Sequence, residues 1–253
     1  MGDGLRISVL TLFPELLVRY FETSLVGKAV ERGLLLPDVR GIRDYAVDRH
    51  RTCDDAPYGG GAGMVLMAEP LAAALDALDG AHRYVVFPSP SGIPFTQARA
   101  QRLAARDDLV FICGRYEGID QRIIDEYVDE EISIGDYVIS SGEISTMVII
   151  DAIYRLREGM LRPESTAEES FQEDLLEYPH YTRPEVFRDR AVPSVLLSGN
   201  HRRIDEWRRR QRIERTAERR PDLLSAASLS DEERRYADGL TQKENDDGRD
   251  KGT

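Results

Sequence analysis

The sequence predicts an α/β fold built on a mostly parallel sheet, followed by a small α-helical C-terminal domain. Three observations lead there. Apolar runs that end at Pro or Gly alternate with stretches of helical spacing as far as about Gly159, the pattern that βαβ units produce. Beyond Gly159 the apolar runs give way to polar, Arg-rich stretches. With 253 residues, 41% of them hydrophobic, the chain suffices for one large domain with its own core and a smaller companion.

The elements follow in order. "LRISVLTLF" (5–13) is an apolar run closed by Pro14 and reads as a buried strand. From Pro14 to Arg32 apolar residues recur at helical spacing until Gly33, which predicts a helix. "LLLPDVRGI" reads as a strand, restricted by Pro37 to an edge or an irregular start. "RDYAVDRHRTCDDAPYGGGAGM" has no period and reads as a long polar loop. "AEPLAAALDALDG" is a helix with Pro near its start and Gly past its end. "RYVVFPSPSG" is a strand that breaks into a loop, "TQARAQRLAAR" a helix, "DLVFICGRYEG" a strand ending at Gly, and "IDQRIIDEYV" a short helix. "DEEISIGDYVISSGE" is mixed, and "ISTMVIIDAIYRLREG" is a long apolar helix. "MLRPESTAEES" reads as a linker and "VLLSGNHRRIDEWRRRQRIERTAERRPDLL" as a helical domain. The polar residues after Gly239 read as a disordered tail.

Charge narrows the function classes. A net charge of −12 argues against nucleic acid if taken as a sum, because phosphate binders usually carry a basic balance. The distribution argues otherwise. Between His201 and Arg220 nine arginines face four acids, Asp205, Glu206, Glu214 and Glu218. Arg suits phosphate geometry, although a solvated helix with internal ion pairs reads the same way. Lysine is confined to Lys28, Lys243 and Lys251. Cys53 and Cys113 stand in unrelated contexts without CxxC or a His/Cys cluster, which argues against a disulfide framework or a zinc site. No apolar run has the length of a membrane span and the N-terminus lacks the regions of a signal peptide. The expectation is a cytoplasmic protein with no membrane partner.

Three glycine-bearing loops follow predicted strands: "FPSPSG", "CGRYEG" and "SIGDYVISSGE". In open α/β sheets ligands bind at the carboxyl ends of strands, so the three loops predict one shared pocket. "YGGGAGM" lacks the GK[ST] of a P-loop and no GxGxxG follows the first strand, which excludes the common nucleotide motifs.

"HRTCDDAPYGGGAGM", "CGRYEGID", "SIGDYVISSGE", "PHYTRPEV" and "VLLSGNH" together resemble the bacterial tRNA (guanine-N1)-methyltransferases, a family of the SPOUT class, with the likeness running from "LTLFPE" to "RRPDLL". The resemblance implies a deep C-terminal trefoil knot in the sheet, a homodimer with the active site at the interface, and S-adenosylmethionine as cofactor. It divides the chain into a knotted catalytic domain (1–160), a linker (161–175), a helical tRNA-binding domain (176–239) and a tail (240–253). By position it implies cofactor contacts from Ser89, Pro90, Gly92, Gly114, Tyr116, Glu117, Ile134, Gly135, Asp136, Tyr137, Val138, Ile139 and Gly142. It implies contacts to the tRNA anticodon arm from Arg49, His50 and Arg51 and from His201, Arg202, Arg208, Arg209, Arg212 and Arg215. Mg²⁺ is associated with the family, but no dedicated carboxylate cluster is evident, so an ion would share its ligands with the substrates.

The implied reaction methylates N1 of the guanosine just 3′ of the anticodon, and a carboxylate must take the N1 proton. The family has Asp immediately before Ser-Phe; here that position is Glu169, one methylene longer, about 1.5 Å of reach. Glu168 ranks second. Locally, Ser165-x-x-Glu168 and Thr166-x-x-Glu169 both also match a capping box. Arg155 matches the family arginine near the guanine; from spacing alone, a helix-face arginine in a solvated pair is the favoured reading.

Overall fold

The computed structural model describes residues 4–160, 169–171 and 173–249. They fall in two compact units, Met1–Leu161 and Arg162–Thr253. The residues of the capping-box reading, Ser165, Thr166 and Glu168, lie outside those described.

In the first unit, β1 (Leu5–Thr11) has Leu5, Ile7, Val9 and Leu10 fully buried. Burial on both faces is what a parallel sheet covered by helices on each side requires. The sheet also holds β2 (Leu35–Gly41), β5 (Tyr84–Pro94), β6 (Asp108–Ile112) and β7 (Glu130–Ser133) in the order β2-β1-β6-β5-β7, every pair parallel. Successive residues of β6 feed opposite cores. Leu109 and Phe111 pack with α1 (Pro14–Phe21), α2 (Ser24–Glu31), α4 (Gln97–Ala104) and α6 (Gly142–Tyr154). Val110 and Ile112 pack with α3 (Ala68–Asp76) and α5 (Gln121–Tyr127).

Three elements differ from the sequence reading. The helix expected over 14–32 is two helices, because the chain turns at Glu22 and Thr23; Thr23 is extended and its carbonyl accepts from Gly27 N at 2.9 Å. The loop expected after β2 contains a two-residue antiparallel pairing, β3 (Asp54–Asp55) with β4 (Val65–Leu66), held by fully buried Leu66 and nearly buried Cys53. The strand expected to end at "FPSPSG" resumes: both Pro88 and Ile93 pair with Ile132, and residues 89–92 bulge out between them. A bulge is where a sheet tolerates Pro and Gly. Both cysteines are free and buried.

The second unit has a hairpin of β8 (Val186–Phe187) and β9 (Arg190–Ala191), then α7 (Ser194–Leu197), α8 (His201–Arg219) and α9 (Asp231–Arg249). Asn200 caps α8 by accepting from Arg203 N at 3.2 Å. Ser230 and Glu233 form a reciprocal capping box at the start of α9 (Glu233 N to Ser230 Oγ 3.3 Å, Ser230 N to Glu233 Oε2 2.8 Å). The helix continues to Arg249 through the polar residues expected to form a disordered tail. A small core joins Leu175, Ile213, Ala217, Leu224, Ala227 and Ala237. Among the described residues no helix is long and apolar enough to cross a membrane.

Glu233 also accepts from Arg209 Nε at 2.7 Å. That bond, with the Ser230 amide, holds its carboxyl down at about 2 instead of 4.5. A depressed carboxyl contributes stability above its unfolded pKa and loses it as pH falls through the folded one. Glu233→Gln is therefore expected to melt below the parent at pH 7, with the gap closing between about pH 4.5 and pH 2 in thermal melts.

Candidate active site

β5, β6 and β7 end side by side, and the loops after them enclose one cavity of about 480 Å³. The position follows from chain order: β5 is flanked by β6 on one side and β7 on the other, so the connection from β6 to β7 crosses it. Such a crossover opens a crevice at the strand ends.

Backbone meets backbone there. Gly142 N donates to Gly114 O at 2.9 Å, and a Cβ on Gly142 would stand 2.5 Å from Gly114 N. A Cβ on Gly92 would stand 2.4 Å from Ile132 N. Neither clash can be relieved by rotating a side chain, so these two glycines are required by close approach. The Ser133 hydroxyl folds the β7 loop back, donating to Gly135 O at 3.2 Å and accepting from Gly135 N at 3.3 Å.

Eleven of the expected cofactor residues line the cavity: Ser89 and Pro90 from the β5 bulge, Gly114, Tyr116 and Glu117 after β6, and Ile134, Gly135, Tyr137, Val138, Ile139 and Gly142 after β7. The other two do not. Gly92 packs behind the wall against Ile132, and Asp136 is exposed. The loop after β3 is pinned to this wall, with Glu117 N donating to Met64 O and Leu66 N to Gly118 O, each at 3.0 Å. Gly63 lies so close that a Cβ would be 2.4 Å from Glu117 Oε1. The cavity combines apolar walls with glycine-bared backbone and has the size of a small-molecule site. Among the described residues no group of three or more His, Cys, Asp or Glu side chains converges as a metal site would.

The family model described as tRNA (Guanine-1)-methyltransferase TrmD matches residues 5–226. The chain belongs to that family. A tRNA (guanine-N(1)-)-methyltransferase of Treponema denticola is 56% identical over 223 residues, covering 88% of this chain and 92% of its own. Those of Treponema pallidum (54% over 226 residues, 89% and 90%) and Borrelia turicatae (52% over 221 residues, 87% and 92%) are similar over nearly the same span.

One buried group within the TrmD-like span escaped the sequence reading. Glu143, the first-turn carboxylate of "SGE", is fully buried and accepts from Thr11 Oγ1 at 2.5 Å, while its Oε2 has no hydrogen-bond partner among the described residues. Thr11 Oγ1 in turn accepts from Phe13 N at 2.9 Å. The pair joins the end of β1 to the start of α6 across 132 residues. Burial, then the charge of Glu143, pushes the Cys113 thiol up, so this cysteine stays a thiol. A Glu two residues after Ser in an apolar helix was the available signal; its partner was not.

The two expected catalytic residues are not in this cavity's wall. Arg155 caps the far end of α6, thirteen residues from Gly142, about 20 Å at 1.5 Å per residue. Glu169 is half-buried in the second unit. The arginines divide. Arg49, His50, Arg51, His201 and Arg202 are exposed. Arg208 and Arg215 are half-buried; Arg208 stacks over Tyr178 at 4.9 Å. Arg209 and Arg212 both bind Glu173, at 2.8 and 3.2 Å.

Gly142→Ala forces backbone apart and is expected to cost about 1–3 kcal/mol, seen as a lower urea midpoint with an unchanged slope. Gly239→Ala, where a Cβ meets no atom of the described residues within 4 Å outside its own turn of helix, leaves the midpoint unlowered.

Proposed function

We propose that the protein transfers a methyl group from S-adenosylmethionine to N1 of the guanosine just 3′ of the anticodon in tRNA. The observation that supports this most is the cavity itself: three loops carrying the family motifs meet in one glycine-walled pocket at the ends of β5, β6 and β7. Gly114, Gly142, Ile134, Gly135, Tyr137, Val138 and Ile139 would hold the cofactor, with Tyr116 and Glu117 around them. Asp136 does not line the cavity and is set apart from these contacts; Gly92 supports them from behind.

When bound, S-adenosylmethionine supplies an electrophilic methyl on a sulfonium. Glu169 would take the proton from guanine N1, leaving that nitrogen free to accept the methyl. Arg155 faces the negative charge that builds towards O6. Any Mg²⁺ draws most of its oxygen ligands from RNA, cofactor and water.

A cavity and an Arg155 about 20 Å apart along one helix support a homodimer in which the partner supplies the arginine. Ile144 and Val148, exposed one turn apart on α6, and Leu16 on α1 are apolar surface for that contact. The bulge of β5 and the packing of Gly142 onto Gly114 accord with the trefoil knot of the class.

Methyl transfer to tRNA transcripts differing only at the target guanosine tests the function. Turnover independent of that base would point to another RNA target, and binding without turnover to a weakened RNA-binding member. Glu169→Gln is expected to lower kcat by about 10²–10⁴-fold with cofactor affinity unchanged; full activity would exclude Glu169 as base. Arg202→Ala is expected to weaken tRNA binding and to make log K fall less steeply with log salt, by about 0.7–0.9 for each phosphate that the arginine neutralises.

A further inference from the structure

We infer that Glu173, clamped by Arg209 and Arg212, is a positioning residue that sets the backbone carrying Glu169, so that these two arginines serve the reaction from inside the second unit instead of gripping tRNA. The inference rests on the reading of Glu169 as base.

The turn after Glu169 is held in an unfavourable conformation. Phe171, Glu173 and Asp174 have φ of 71°, 56° and 57°, the left-handed region that side-chain-bearing residues rarely adopt. Such backbone persists where its surroundings over-determine it, and here they do. Phe171 N donates to Leu175 O at 2.8 Å, closing the turn. Glu177 N donates to Ser170 Oγ at 3.1 Å, tying the residue beside Glu169 to the far side of the loop. Leu175 is fully buried and Leu176 N donates to Thr216 Oγ1 at 2.9 Å, which seats the loop on α8. Glu173 Oε2 then receives Arg209 Nη1 and Arg212 Nη1. This double clamp acts four positions along the chain from Glu169.

The same geometry leaves the two arginines little to offer a phosphate. Arg209 commits Nε to Glu233, Nη1 to Glu173 and Nη2 to the Ser228 carbonyl, at 2.7, 2.8 and 2.7 Å. The Arg212 side chain is 7% exposed, against 86% for Arg202 on the same helix. A base needs placement within a fraction of an ångström, since misplacement by about 1 Å can cost about a hundredfold in rate.

The test compares E173Q, E169Q and the double variant in the full-length protein, by single-turnover methyl transfer, cofactor and tRNA affinities and thermal melting. E173D serves should E173Q melt markedly lower. E173Q is expected to slow transfer at least tenfold while both affinities and the tRNA salt slope stay put. In the E169Q background it is expected to add no further loss, because the group it places is gone. Normal turnover in E173Q beside a crippled E169Q would overturn the inference alone. Full activity of E169Q would overturn the base assignment and the inference with it. A multiplicative loss in the double variant would mark Glu173 as merely structural. Arg209→Ala is expected to leave the salt slope unchanged; a slope made shallower by the equivalent of one phosphate would overturn the division of the arginines.

Discussion

The contact of Gly142 with Gly114 is the constraint on which the first unit turns. Two peptide backbones from loops 28 residues apart meet at hydrogen-bond distance with no side chain between them. That approach sets where α6 begins, and therefore where its buried first turn brings Glu143 to Thr11. It also brings the loop after β7 over the end of β6, so that glycine-bared main chain forms part of the cavity wall. Walls of this kind present amides and carbonyls at fixed positions and tolerate little side-chain variation behind them.

The second unit solves a different problem with fewer apolar residues. Among the described residues its buried core is six, half of them alanine. Charged groups do part of the fastening, and α8 is amphipathic in an unusual sense. Its inward face carries Arg209 and Arg212 alongside Ile213 and Thr216, while Arg202 on its outward face is open to solvent. Buried cations of this kind require matched carboxylates, which Glu173 and Glu233 supply.

What could be read from the sequence followed from how local the cause was. β1 and β6 were legible because continuous burial leaves continuous apolar runs. The pocket loops were legible because glycine follows those runs at three strand ends. The return of β5 at Ile93 was not, since its partner Ile132 lies 39 residues away and the bulge between has the composition of a loop. The break at Glu22 and Thr23 leaves the apolar spacing on both sides intact, so periodicity passed over it. Glu143 was visible as a residue but not as a buried one, because Thr11 is remote in sequence. The arginines of α8 were countable, yet charge alone does not say which face of a helix meets its own protein. The chemistry ascribed to Glu169 came from the family motif; spacing by itself favoured a cap.

Glu233 carries two duties with one carboxylate. It closes the capping box that starts α9, and it holds the guanidinium that also reaches Glu173. The first turn of α9 and the turn beside Glu169 are thereby joined through one guanidinium, although some sixty residues separate them in sequence. Selection on the C-terminal helix, ostensibly for stability, acts also on the turn that follows Glu169.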